Sequence, residues 1–231
     1  MQPSVDGLIR EIRASCLDAK ASAGILLRQV RFLAVELKLH ELDAWAVREL
    51  NGYEEIDIAL LPQYRLLGMA SVANFVGPFG NLLKRVPIPL HTFPPEKQTT
   101  LKAILSSHQA TKSIVVYEDL IRSSKEFIGI EVPGLQYHLS NSVYPQYTCI
   151  GVYGSVSRSY LVGLVEGVKN RIQSLTFELA ARFPATGDDY MVKPDASLTN
   201  VIQTIIYGGQ PNIAIASREF TQETTKSQEV R

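Results

Sequence analysis

Four histidines, two cysteines and a scatter of carboxylates are the raw material from which this 231-residue chain could build chemistry. A transition-metal site needs ligands at short spacings such as HxxH, HExxH or CxxC. His40, His91, His108 and His138 lie far apart, and Cys16 and Cys149 each sit alone in an apolar run. The sequence reads these as solvated or core histidines and as buried free thiols, with a disulfide left open. A serine or cysteine nucleophile would call for a GxSxG elbow or a catalytic-cysteine signature, and neither is present. The expectation is no catalytic residue, no metal, no cofactor and no enzymatic activity.

Three stretches could bind rather than react. In GVYGSVSRSY, residues 151–160, a strand runs into glycines, serines and an arginine and then into a helix. Free N–H groups and the helix dipole could hold a phosphate there, which makes Gly154, Ser155, Ser157 and Arg158 candidate ligands. The Lys-Ser/Thr ending of a P-loop is missing, and an ordinary serine-capped turn is the favoured reading. The pair Lys84-Arg85, with Arg65 as a candidate neighbour and Tyr64 and Phe79 for stacking, suits a nucleotide or single-stranded oligonucleotide, with Arg85 as the candidate contact. Charges that protect a sheet edge are the plainer explanation. Glu54, Glu55 and Asp57 form an acidic cluster after a helix, either a solvated loop or a dock for a basic partner. Lys+Arg and Asp+Glu balance at 23 each, which argues against a generally polyanion-binding surface and leaves room for a local basic patch.

The elements that must position these residues are mainly helices. At 45% hydrophobic and 20% charged, the chain is of a folding composition. Apolar stripes mark a helix after Ser4 through Leu8, Ile9, Ile12 and Cys16, and a second through Leu26, Leu27, Val30, Leu33, Ala34 and Leu37. A third carries Leu42, Trp45, Ala46 and Leu50 and stops at Asn51-Gly52. Short strands are expected around 64–76 and 82–88, at 127–132 and at 147–156, with a helix from Pro95 to about Ser124 that breaks near Thr111. The longest stripe is Leu161, Leu164, Val165, Val168, Ile172, Leu175 and Leu179, with Gly163 and Gly167 suggesting the close approach of another backbone. No apolar run reaches the roughly 20 residues of a spanning helix, and no leader peptide is recognisable, so a cytoplasmic setting is expected.

The run LLRQVRFLAVELKLHELDAWAVRELNGY with LPQYR after it, then VYEDLIRSS and LVEGVKNRIQSLTFELAARFP, resembles the AbiTii domain, and the tail GQPNIAIASREFTQ resembles a segment that often follows it. The resemblance implies a module of bacterial abortive-infection systems, a sensor or adaptor coupled to an effector, and carries over no catalytic residues. On it rests the expected function: a non-enzymatic antiphage sensor or effector subunit, self-assembling and gated by a second defence protein or by a nucleotide or oligonucleotide. The alternatives are an antitoxin neutralising a cognate toxin and, less favoured, a nucleotide-processing enzyme.

The fold class expected is α+β, a mostly helical domain on a small mixed sheet with a C-terminal β-hairpin appendage. The expected layout is an AbiTii-like domain over 1–184, a polar linker over 185–198, the hairpin over 199–222 and a polar tail over 223–231. The hairpin follows from two period-two runs around GGQP, apolar on both faces. Val201, Ile202, Ile205, Ile206, Ile213 and Ile215 are its candidate oligomerisation residues, pairing with other copies in a homo-oligomer. Its strands are short for a bilayer, so a soluble stalk is favoured over membrane association through a pore.

Overall fold

The computed structural model describes residues 4–18, 20–57, 61–123, 125–139, 143–183 and 196–208. The chain divides into two compact units that interleave in sequence.

The first unit takes residues 1–65, 111–119 and 163–231. It opens with α1 (Val5–Leu17), where Ser4 Oγ accepts from Gly7 N at 3.1 Å and so satisfies one otherwise orphaned donor. Leu8, Ile9 and Ile12 are its buried stripe. In α2 (Ala23–Glu36), Leu26, Leu27, Val30, Leu33 and Ala34 are buried. In α3 (His40–Asn51), Leu42, Trp45, Ala46 and Glu49 are buried. The first unit also holds most of α5 (Ile114–Arg122) and of α7 (Arg158–Arg182), and all of α8 (Ala196–Tyr207). The stripe read along α7 is buried throughout, from Leu161 to Leu179.

The second unit takes residues 66–110 and 120–162. Its sheet contains β2 (Ala70–Val76), β3 (Leu82–Val86), β5 (Phe127–Glu131) and β6 (Thr148–Ser157) in the order β3-β2-β6-β5. Every pairing is antiparallel, so the sheet is not mixed as expected. The expected helix from Pro95 is α4 (Pro95–Ser106), and the break near Thr111 separates it from α5. The break contains β4 (Ser107–Gln109), which pairs with β1 (Leu66–Gly68). One face of the main sheet packs Ala73, Phe75, Cys149 and Val152 against Leu101 and Leu105 of α4 and Leu135 and Leu139 of α6 (Leu135–Leu139).

Two further expectations are corrected. Residues 196–207 form α8, so the first strand of the expected hairpin, with Val201, Ile202, Ile205 and Ile206, is helical. Leu198, Ile202 and Ile206 recur every four residues and are buried as one helical face, and Arg171 Nε donates to Ile206 O at 2.9 Å, satisfying a carbonyl of the last turn. The second strand, with Ile213 and Ile215, lies outside the described residues, as do the tail and most of the linker. The α7 glycines do not mark a close backbone: a methyl group at Gly163 would meet open space, and at Gly167 only Arg171 Nη1, at 3.4 Å.

Candidate functional site

The ELNGY and LPQYR segments meet in space. Glu49 lies in the last turn of α3, and Tyr53 follows just beyond the helix end. Between them Gly52 takes φ +101°, and a Cβ there would sit 2.8 Å from Thr111 O, so both conformation and space call for glycine. The helix stop carries Tyr53 into the fold, where its N–H donates to Thr111 O at 2.5 Å. A 3-10 turn at Gln63–Arg65, closed by Arg65 N to Pro62 O at 2.9 Å, delivers Tyr64 and Arg65 to the same place.

There the Glu49 carboxylate is saturated. Its Oε1 accepts from Tyr53 OH at 2.7 Å, Tyr64 OH at 2.7 Å and Arg65 Nε at 3.1 Å, and its Oε2 accepts from Arg65 Nη2 at 2.6 Å. Arg65 Nη1 donates to Lys112 O at 2.8 Å, Trp45 Nε1 donates to Tyr64 OH at 2.9 Å, and both charged side chains are wholly excluded from solvent. The guanidinium lies 4.4 Å from the Tyr53 ring centroid, and Arg171 of α7 lies 3.9 Å from that of Tyr64. Burial disfavours charge on Arg65, but the Glu49 carboxylate outweighs it and holds the guanidinium pKa above its ordinary value. Burial and then the Glu49 charge push the Tyr53 and Tyr64 hydroxyls well above theirs. The arrangement ties α3 to the 3-10 turn, the 111–112 backbone and α7; its geometry is that of a lock, with no free oxygen for a substrate proton.

A second acid is placed similarly. Glu118 of α5 accepts from Ala23 N and from Ser22 Oγ, both at 2.6 Å, at the N-terminus of α2. A carboxylate there satisfies orphaned N–H groups and complements the helix dipole. Sequence reading missed Glu49, Glu118 and Arg171 as partners. The Asn51-Gly52 helix stop, which sets where Tyr53 enters the fold, was the one local signal.

The sequence candidates are dispersed. Gly154 and Ser155 lie inside β6, their backbones in register with β2 on one side and β5 on the other. Ser157 ends β6, and its Oγ accepts from Ser159 N at 3.3 Å as a cap on α7. Arg158 donates from its backbone N to Glu126 O at 2.8 Å and from Nε to Ile121 O at 2.9 Å. Arg85 sits exposed on the edge strand β3 at φ +51°, in a bulge where its N–H donates to Asn74 Oδ1 at 2.7 Å. Arg65, expected as its neighbour, is committed to Glu49. Phe79 is fully exposed at the tip between β2 and β3. Glu54, Glu55 and Asp57 are exposed just beyond Tyr53, and Glu54 pairs with Lys112 at 3.4 Å. Val201 and Ile205 are half-buried on α8, and Ile202 and Ile206 are buried in the core. Cys16 and Cys149 are free, and burial raises both thiols, which disfavours a reactive thiolate. No group of three metal-ligating side chains occurs among the described residues, and no described helix is long and apolar enough to cross a membrane.

A family model described as AbiTii matches residues 7–204. The chain belongs to the AbiTii family. The family name is that of a bacterial abortive-infection component, so this AbiTii protein is a defence-system component. The match runs past residue 184 to residue 204, and so most of α8 falls within the AbiTii region. No curated protein and no solved structure matches the chain.

Proposed function

We propose that this AbiTii protein is a non-catalytic binding subunit of an antiphage system, which assembles with copies of itself and is gated by a second defence protein or a nucleotide ligand. The observation that carries the reading is the fate of the signature residues. Glu49, Tyr53, Tyr64 and Arg65 are the chemically richest group in the chain, and they spend their donors and acceptors on one another and on the backbone inside the core. Residues committed in this way maintain a shape, and a protein that works by its shape works through its surfaces. For a nucleotide or oligonucleotide, the β2–β3 hairpin is the best-suited surface: Lys84 and Arg85 are exposed on its edge strand and Phe79 at its tip. Cations for phosphate and a ring for a base are the usual parts of such a contact.

The test combines turnover with binding. The purified chain is incubated with divalent cations, a nucleotide panel and single-stranded oligonucleotides, and binding is titrated for wild type, Arg85→Ala and Phe79→Ala. No turnover is expected, with weaker binding in both variants. Turnover that is lost on replacing one carboxylate would overturn the non-catalytic reading, and equal binding in all three proteins would remove the hairpin.

A further inference from the structure

The outward face of α2 carries an unspent pattern. Ile25, Phe32 and Val35 are 53%, 43% and 58% exposed, while the opposite face of the helix is buried. At 3.6 residues per turn, Ile25, Arg28, Phe32, Val35 and Glu36 fall within about 100° of arc. Arg28 and Glu36 stand four residues to either side of Phe32, and both are exposed. Neither has a hydrogen-bond or ion-pair partner among the described residues, whereas the adjacent Arg31 is paired with Asp43 at 3.0 Å.

We propose that this face packs against the same face of a second copy of the chain, about a two-fold axis passing by Phe32. The symmetry of the pattern is the argument. Opposite charges equidistant from a central aromatic are self-complementary: a two-fold rotation sets Arg28 of each copy beside Glu36 of the other and brings the two Phe32 rings together. Arg28, Phe32 and Glu36 form one i±4 ridge, the kind that interdigitates in the commonest helix packing. Ile25 and Val35 flank that ridge and lose water as it closes. An isologous contact of this kind closes on itself as a dimer. The proposal deepens the reading of the chain as an assembling subunit and rests on it, supplying the surface that α8 no longer offers. The helix is short, so the contact falls below the roughly 800 Å² per partner of a standard interface and the dimer is reversible.

The test is sedimentation equilibrium on the full chain from about 1 μM to about 1 mM, where a small interface changes occupancy. Mass should rise toward twice the chain with concentration. Arg28→Glu and Glu36→Arg should each weaken association by about tenfold or more, and the double reversal Arg28→Glu with Glu36→Arg should restore it. Single reversals without effect, or a double reversal without recovery, would overturn this interface while leaving assembly through another surface intact. A monomer throughout the range would also overturn it and assign the face to residues 209–231 or to a different protein. The turnover assay is separate: catalysis could be found with this dimer unaffected.

Discussion

Glu49 accepts from Tyr53, Tyr64 and Arg65 in a place without water. Removing one member of a buried ion pair leaves the other charge uncompensated, at a cost of about 3–5 kcal/mol. Glu49→Ala should lose that much in urea melts, and Glu49→Leu combined with Arg65→Met should recover part of it. The paired replacement still strands the Tyr53 hydroxyl, at about 1–3 kcal/mol, while Tyr64 OH keeps only the bond from Trp45 Nε1. A loss for Glu49→Ala below about 1 kcal/mol would show that the network is not a lock. The tyrosines supply a pH signature. Their folded pKa values are raised well above the ordinary 10.0. The unfolded chain therefore gives up these protons first as pH rises. The stabilisation is complete below pH ~10 and is lost above it, at about 1.4 kcal/mol per pH unit for each tyrosine. Urea midpoints taken upward from pH ~9 should fall, and Tyr53→Phe should remove one share of the slope. Parallel pH curves for wild type and variant would contradict this.

At the scale of elements, α7 and α8 make opposite cases. Every apolar position read along α7 is buried, because a long stripe with a single period leaves one way to place the helix. Leu175 is 1% exposed, and Leu175→Ala should cost about 2–5 kcal/mol. In α8 the β-branched run Val201, Ile202, Thr204, Ile205 and Ile206 favours strand by propensity, yet the helix forms. A short apolar run satisfies either period, and packing decides between them. Here Gln203 Nε2 donates to Glu41 of α3, and Arg171 reaches the last turn. Alanine at Ile202 or Ile206 should therefore cost more than alanine at Val201 or Ile205. Equal losses at all four would argue against the helical face.

At the scale of the molecule, the first unit is assembled from three separated segments, with α8 in the last of them. Cutting the chain after residue 195 removes Leu198, Ile202, Ile206 and Tyr207 from its core. That truncation should lower the urea midpoint more than any single alanine substitution in α7, because several buried side chains go at once. An unchanged midpoint would make α8 dispensable to the first unit.

What the sequence determined by itself was local or periodic. The stripes of α1, α2, α3 and α7, the cap at Ser4, the stop at Gly52 and the strands of β2, β3 and β6 follow from neighbours within a few residues, where sterics and hydrogen bonding act directly. Family membership was also legible, because ELNGY and LPQYR are contiguous strings. Tertiary structure alone decided what those strings are for. Glu49 meets Arg65 sixteen residues on, and Glu118 meets Ser22 ninety-six residues away. Neither pairing leaves a trace in composition or period. The same holds for α8, where a locally ambiguous run took its conformation from the helix it packs on and the arginine that caps it. A buried charge must be matched wherever the fold brings a partner, and that requirement acts through space rather than along the chain.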